Sequence, residues 1–298
     1  MVGLGDVARK AYLPVLAVRP DIELHLVTRN ARVLAESGKR WRISELHPDI
    51  STALGTARFD AAFVHAATGA HPALVAELLA AGVAVLVDKP LADDLAGAER
   101  LAELAARTGT PLAVGFNRRH APVHAELLDR PRSVVRMAKD RRGPPHPARR
   151  TVFDDFIHVV DTIRFLSPVP VRVAAIETVG RDGLLEAALL VLSGDGFHAT
   201  GAMHRAAGMD AERLEVMGDG MTVSVRDMAE VRVSDGVERR TRRGDWTPVA
   251  DQRGFTAMCD AFLRTVREGR AVPLDDMLET HRICERVVAH AEGSYGTI

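Results

Sequence analysis

Four short, mostly apolar runs, "IELHLV" (22–27), "DAAFVHA" (60–66), "VAVLVD" (83–88) and "PLAVGF" (111–116), punctuate the first 117 residues of this chain. Between them lie "DVARKAYLPVLAV", "HPALVAELLAAG" and "DDLAGAERLAELAARTG", whose apolar residues recur at helical spacing; the last two close on Gly82 and Gly109. Runs that are apolar throughout, without alternation, belong in a parallel sheet buried on both faces. Strands alternating with helices then require right-handed crossovers, so residues 1–117 are expected to form a doubly wound α/β domain. Ligands on such sheets bind beyond the carboxyl ends of the strands.

After residue 117 the pattern changes. A helix-like "RRHAPVHAELLD" leads to the strand-like "SVVRMAKD", an arginine- and proline-rich loop from Arg141 to Arg150, and the helical "TVFDDFIHVVDTIRFL". From 171 to 242 come several strand candidates with no long helix between them, and two helical patterns, 251–268 and 275–292, close the chain. The spacing predicts a second domain, 118–298, of α+β type with an open, mostly antiparallel sheet.

Composition narrows the function classes. A net charge of −1 gives no global pull towards nucleic acid or membrane. The basic stretch "RMAKDRRGPPHPARR" lacks the interleaved aromatics of a nucleic-acid surface, which leaves solvated loop charges, with capture of an anionic substrate as the alternative. No apolar run reaches the roughly 18 residues of a membrane span, and the N-terminus lacks a secretory pattern. Cys259 and Cys284 have no zinc-type spacing and read as reduced core residues of a cytoplasmic protein.

Two stretches carry chemistry. "VGLGDVA" sets Gly3, Gly5 and Ala8 at the opening of a helix, where glycines allow close approach of a pyrophosphate and helix N–H groups meet it. Only Met1 and Val2 precede Gly3, so the first strand is expected to be cut short, with the true start upstream. About 20 residues on, where an acidic residue would meet the ribose of NAD, stand Thr28 and Arg29, groups suited to a 2′-phosphate; NADP is favoured over NAD. In "DDFIHVVD", Asp154, His158 and Asp161 recur at i, i+4 and i+7 and are expected on one helix face, although Asp154 or Asp155 could instead cap the helix. Lys89, after the third of the four apolar runs, could stabilise negative charge on a substrate oxygen or simply reach solvent.

"VGLGDVARKAYLPVL", "FVHAATGAHPALV", "VDKPLADDLAGAERLAELAARTGTPLAVGFNRRHAP", "DDFIHVVDTIRFL" and "QRGF" together resemble the glucose-fructose oxidoreductase, inositol dehydrogenase and rhizopine-catabolism (Gfo/Idh/MocA) family, and within it the MviM branch. The resemblance implies a Rossmann domain coupled to an open-sheet domain, and hydride transfer between NAD(P) and a secondary alcohol or ketone of a small sugar-like or polyol substrate. It implies Lys89, Asp154 and His158 as catalytic residues. Gly3, Gly5, Asp6, Val7, Ala8, Thr28, Arg29, Ala66, Thr68, His71, Lys89 and Pro90 would contact the cofactor, and Asn117, Arg118, Arg150 and Asp155 the substrate, with no metal. Asp88 replaces the glutamate more usual before Lys-Pro, and Phe156 a common glycine. Further expectations are a homo-oligomer assembled through the C-terminal sheet and no membrane or nucleic-acid partner. A nucleotide-sensing protein that keeps the fold without turnover is the alternative function.

Overall fold

The computed structural model describes residues 1–294, which form two compact units. One comprises Met1–Asn117 with Val249–Leu278, the other Arg118–Pro248 with residues 279–294. No helix among the described residues is long and apolar enough to cross a membrane.

In the first unit five strands run parallel: β1 (Leu26–Val27), β2 (Leu46–His47), β3 (Ala61–Val64), β4 (Ala84–Asp88) and β5 (Leu112–Gly115). Val2 bridges Val27 on one side and Val64 on the other, so the order across the sheet is β2, β1, Val2, β3, β4, β5. That is the doubly wound dinucleotide-binding order, its central strand reduced to one bridging residue. Val2 N–H donates to Phe63 O at 2.8 Å and its carbonyl accepts from His65 N at 2.7 Å. Of the expected run 22–27, Leu26–Val27 alone is strand, because a ladder extends only as far as its partner. Along β4, Val85 and Val87 enter one core and Ala84 and Leu86 the other, which explains its unbroken apolar reading.

Polar caps start the helices: Asp94 accepts from Gly97 N at 2.6 Å, Asp49 from Thr52 N at 2.7 Å and Asn30 from Val33 N at 3.1 Å. Strand β2 and the helix Ile50–Thr56 are too short to show a period, and the helix Ala31–Trp41 hides its inner face behind Ser37 and Gly38, so none was expected. The helix Phe255–Arg267 buries Met258, Cys259, Phe262 and Leu263 beside Tyr12, Leu13, Leu16 and Phe63. The expected domain 118–298 is therefore divided, its residues 249–278 completing the core of the first unit.

The second unit holds β6 (Val134–Arg142), β7 (His146–Pro147), β8 (Arg172–Arg181), β9 (Leu184–Gly194), β10 (Phe197–His204), β11 (Ala206–Gly218), β12 (Met221–Arg226), β13 (Glu230–Ser234) and β14 (Glu238–Arg242). Their order is β14, β13, β12, β11, β6, β10, β9, β7, with β8 also on β9, and every pairing but β6 with β10 is antiparallel. A continuous helical segment crosses this sheet: Ala148–Thr151, a π-helical turn Val152–Phe156, then the α-helix Ile157–Phe165. It lies so close that a Cβ on Gly201 of β10 would come within 2.6 Å of Val159 Cγ1. Residues 118–129, expected as one helix, are short turns around Pro122, which has no N–H to give a preceding turn.

Candidate active site

The glycine turn of the first unit is sterically specified. Gly3 has φ +84°, and a Cβ there would stand 2.7 Å from the backbone N of Ala66, so the turn and the loop after β3 approach as closely as glycine permits. Gly5 faces open space except for His65 O at 3.9 Å, Ala8 is fully buried under the turn, and Asp6 and Val7 are exposed at its rim. A pyrophosphate fits this combination of a tight turn, an uncrowded glycine and a helical segment beginning at Asp6. At the end of β1, Thr28 N–H donates to His47 O at 3.2 Å, and Arg29 is exposed.

Lys89 follows the carboxyl end of β4, half-buried, and its N–H donates to Asp88 Oδ1 at 3.1 Å. The Lys89–Pro90 bond is cis. Burial raises the Asp88 carboxyl above the ordinary aspartate value, against the pull of the Lys89 ammonium. Tyr12 OH lies 3.5 Å from the same Oδ1, and burial together with the Asp88 charge pushes its phenol well up. His71 is buried, with Nδ1 2.8 Å from Pro90 O and Nε2 3.0 Å from Ala66 O. Expected on the cofactor, it instead ties the turn after β4 to the loop after β3, so its ring positions Ala66 and Pro90. Thr68 sits half-buried in that loop.

In the second unit the helical segment buries Val152, Phe153, Phe156, Ile157, Val159, Val160 and Ile163, yet Asp154 is exposed and His158 half-buried. Neither Asp154 nor Asp155 caps the helix, because both lie inside the segment that starts at Ala148. The expected line of three divides. Asp161 is 1% exposed and takes Arg119 Nη2 at 2.6 Å and Thr280 Oγ1 at 3.2 Å, whereas Asp154 is exposed and His158 half-buried.

Of the residues expected on substrate, three are internal tethers. Asn117 is buried, with Nδ2 donating to Arg253 O at 2.8 Å. Arg118 is buried and donates from Nε and Nη2 to both oxygens of Glu212, at 2.9 and 2.6 Å. Asp155 takes Lys139 Nζ at 2.9 Å, Arg141 Nε at 3.2 Å and Arg205 Nη1 at 2.7 Å. Burial would raise the Asp155 carboxyl, but those three cations hold it well below the aspartate range. Burial, with Arg118 and Arg141 nearby, brings the Lys139 ammonium down to about 7. Arg150 differs: it is exposed, 3.7 Å from the Asp154 carboxylate.

Residues 1–116 match the oxidoreductase family with an NAD-binding Rossmann fold, and residues 124–236 the YceM-like C-terminal domain. The chain is 38% identical over 280 residues to YceM of Salmonella typhimurium, covering 92% of this chain and 90% of that protein. A solved Gfo/Idh/MocA family oxidoreductase from Vibrio cholerae superposes with a TM-score of 0.89 at 33% identity over 98% of each chain. The chain belongs to the Gfo/Idh/MocA oxidoreductase family. The dehydrogenase MviM of Clostridium difficile superposes equally well, TM-score 0.89 at 27% identity over 97% of this chain and 98% of that one. An inositol 2-dehydrogenase of Acidothermus cellulolyticus is 26% identical over 266 residues, 78% of this chain and 73% of that one.

Within this Gfo/Idh/MocA member, the buried His65 escaped the sequence reading. The His65 ring packs tilted against Tyr12, with ring centroids 3.9 Å apart and 40° between planes, and neither of its ring nitrogens has a hydrogen-bond partner among the described residues. Burial pushes its imidazole well below the ordinary value, disfavouring the charged form. Its signal was faint, a polar letter in an apolar strand, which marks a buried polar side chain without saying what it meets.

Proposed function

We propose that the chain transfers hydride between NADP(H) and a secondary alcohol or ketone of a small, sugar-like or polyol molecule. The observation carrying this reading is the helical segment 148–165, which buries Val152, Phe153, Phe156, Ile157, Val159, Val160 and Ile163 yet leaves Asp154 exposed and His158 half-buried, four residues apart. The inositol 2-dehydrogenase relative supports a polyol substrate.

Gly3, Gly5 and Ala8 would hold the pyrophosphate, with Thr28 and Arg29 at the 2′-phosphate. When bound, the nicotinamide supplies or accepts the hydride at C4. Lys89 donates to the reacting oxygen and stabilises its negative charge; His158 takes the hydroxyl proton during oxidation and returns it during reduction; Asp154 orients the imidazole. Arg150, exposed beside Asp154, would meet an anionic substituent of the substrate, whereas Arg149 is paired with Glu285 at 2.5 Å and Arg141 with Asp155 at 3.2 Å. Exposed Val179, Leu184 and Leu189 on β8 and β9 support assembly with a second copy through the sheet, which light scattering would reveal.

The test combines fluorescence titration with NADPH and NADH and an absorbance screen of inositols, sugars and their phosphates. Turnover on a polyol or its ketone supports the reading. Tight cofactor binding with no turnover on any of them would favour the sensor alternative instead.

A further inference from the structure

Strands β1 and β2 pair in parallel with Leu26 opposite Leu46 and Val27 opposite His47. Leu26 N–H donates to Glu45 O at 2.9 Å, so the register continues back and sets His25 opposite Glu45. Side chains alternate along a strand, and cross-strand partners share a face. His25, Glu45 and His47 therefore project from one face of the sheet, while Leu26 and Leu46 pack into the core on the other.

The donor atoms of these three side chains all lie within 4.8 Å of one another. His25 Nδ1 and His47 Nε2 are 3.0 Å apart, and the two rings are nearly parallel, 11° between planes. His47 is 6% exposed and the His25 side chain 11%, and the Phe59 ring fixes His25 edge-on at 4.9 Å. A pair of imidazoles in this contact can share a single proton, one ring donating and the other accepting.

We propose that His25, Glu45 and His47 form a binding site for one divalent transition-metal cation of the Zn2+ type. Two imidazole nitrogens and one carboxylate oxygen make a known tetrahedral donor set, with water in the fourth position. Bonds of about 2.0–2.1 Å at a tetrahedral angle place two nitrogens about 3.3 Å apart, a few tenths of an ångström beyond their present contact. Glu45, half-buried at the edge, closes the third position by rotating its side chain. Hard alkaline-earth cations, which need six or more oxygens, do not match this set.

The cation would clamp β1 to β2 and has no part in hydride transfer. Thr28 and Arg29 follow directly on β1, and Thr28 N–H donates to His47 O at 3.2 Å, so the clamp stiffens the pair of strands on which these residues are mounted.

The test uses the full chain, stripped with a chelator and freed of any tag, titrated calorimetrically with Zn2+ and spectroscopically with Co2+. One Zn2+ per chain, a visible four-coordinate Co2+ spectrum and a higher melting temperature with Zn2+ are expected. His25→Gln and His47→Gln should each weaken binding at least about tenfold, and Glu45→Gln should weaken it less, whereas His198→Gln, at an exposed histidine, should not. Circular dichroism confirms that each variant is folded. Absence of Zn2+ and Co2+ binding by the wild type, or undiminished binding by both histidine variants, overturns the proposal.

Discussion

Replacing Glu212 by glutamine removes the charge that holds Arg118 at the start of the second unit. Arg118 is 5% exposed and engages both Glu212 oxygens, at 2.9 and 2.6 Å. Burial alone would raise the Glu212 carboxyl; Arg118 outweighs it and brings the group from 4.5 to about 2. That difference, at about 1.36 kcal/mol per pH unit, corresponds to roughly 3 kcal/mol of stability. It agrees with the roughly 3–5 kcal/mol that breaking a buried pair costs by stranding one charge. The sign follows from a folded value below the unfolded one: the stabilisation is fully present above about 4.5 and is lost as pH falls through about 2. Urea unfolding of wild type and Glu212→Gln should show a gap of roughly 3 kcal/mol near neutrality that narrows steadily below about pH 5. Adding Arg118→Met to Glu212→Gln should recover much of the loss, because the stranded guanidinium is gone. A gap under about 1 kcal/mol, or one that does not narrow in acid, would refute the reasoning.

Gly3→Ala forces a Cβ to within 2.7 Å of Ala66 N at φ +84°, and should cost about 1–3 kcal/mol in thermal unfolding while weakening NADPH binding in a fluorescence titration. Arg29→Ala should erase most of the preference for NADPH over NADH; an unchanged ratio of dissociation constants removes the 2′-phosphate assignment. His158→Ala and Lys89→Ala should each lower turnover by about 10²- to 10⁴-fold and leave NADPH affinity nearly intact, as steady-state kinetics beside the same titration will show. Arg150→Ala should raise the Michaelis constant of a phosphorylated substrate more than that of its neutral analogue, and equal changes would return Arg150 to its pairing with Asp154.

Much of the first unit could be read from the chain because its signals are local. Gly3 is demanded by a turn within its own heptapeptide, and β4 by a run of residues buried on both faces. The return of 249–278 to that unit was not legible: the apolar stripe of Phe255–Arg267 announces burial, but nothing in it says against which core. Nor could the sequence distinguish Asp154 from Asp155. Adjacent carboxylates in a helix diverge by about a quarter-turn, and a π-helical turn shifts that phase, so the exposed one emerges only with the packing. Asn117, Arg118 and Asp155 look like ligand contacts beside a conspicuous motif, but their partners, Arg253, Glu212 and the Lys139–Arg141–Arg205 group, are supplied by distant segments. His25, Glu45 and His47 converge for the same reason, through strand register and not through spacing along the chain.

Following the hydride itself tests the proposed activity most directly. NADPH carrying deuterium at either face of nicotinamide C4 would be incubated with the protein and the ketone of whichever polyol shows turnover, and the product analysed by mass spectrometry. Hydride transfer predicts that one of the two labelled cofactors yields an alcohol one mass unit heavier, with the label on the former carbonyl carbon, and that His158→Ala and Lys89→Ala slow its appearance by the same factor as turnover. An unlabelled alcohol from both cofactors, or label incorporation undiminished in both variants, would contradict it.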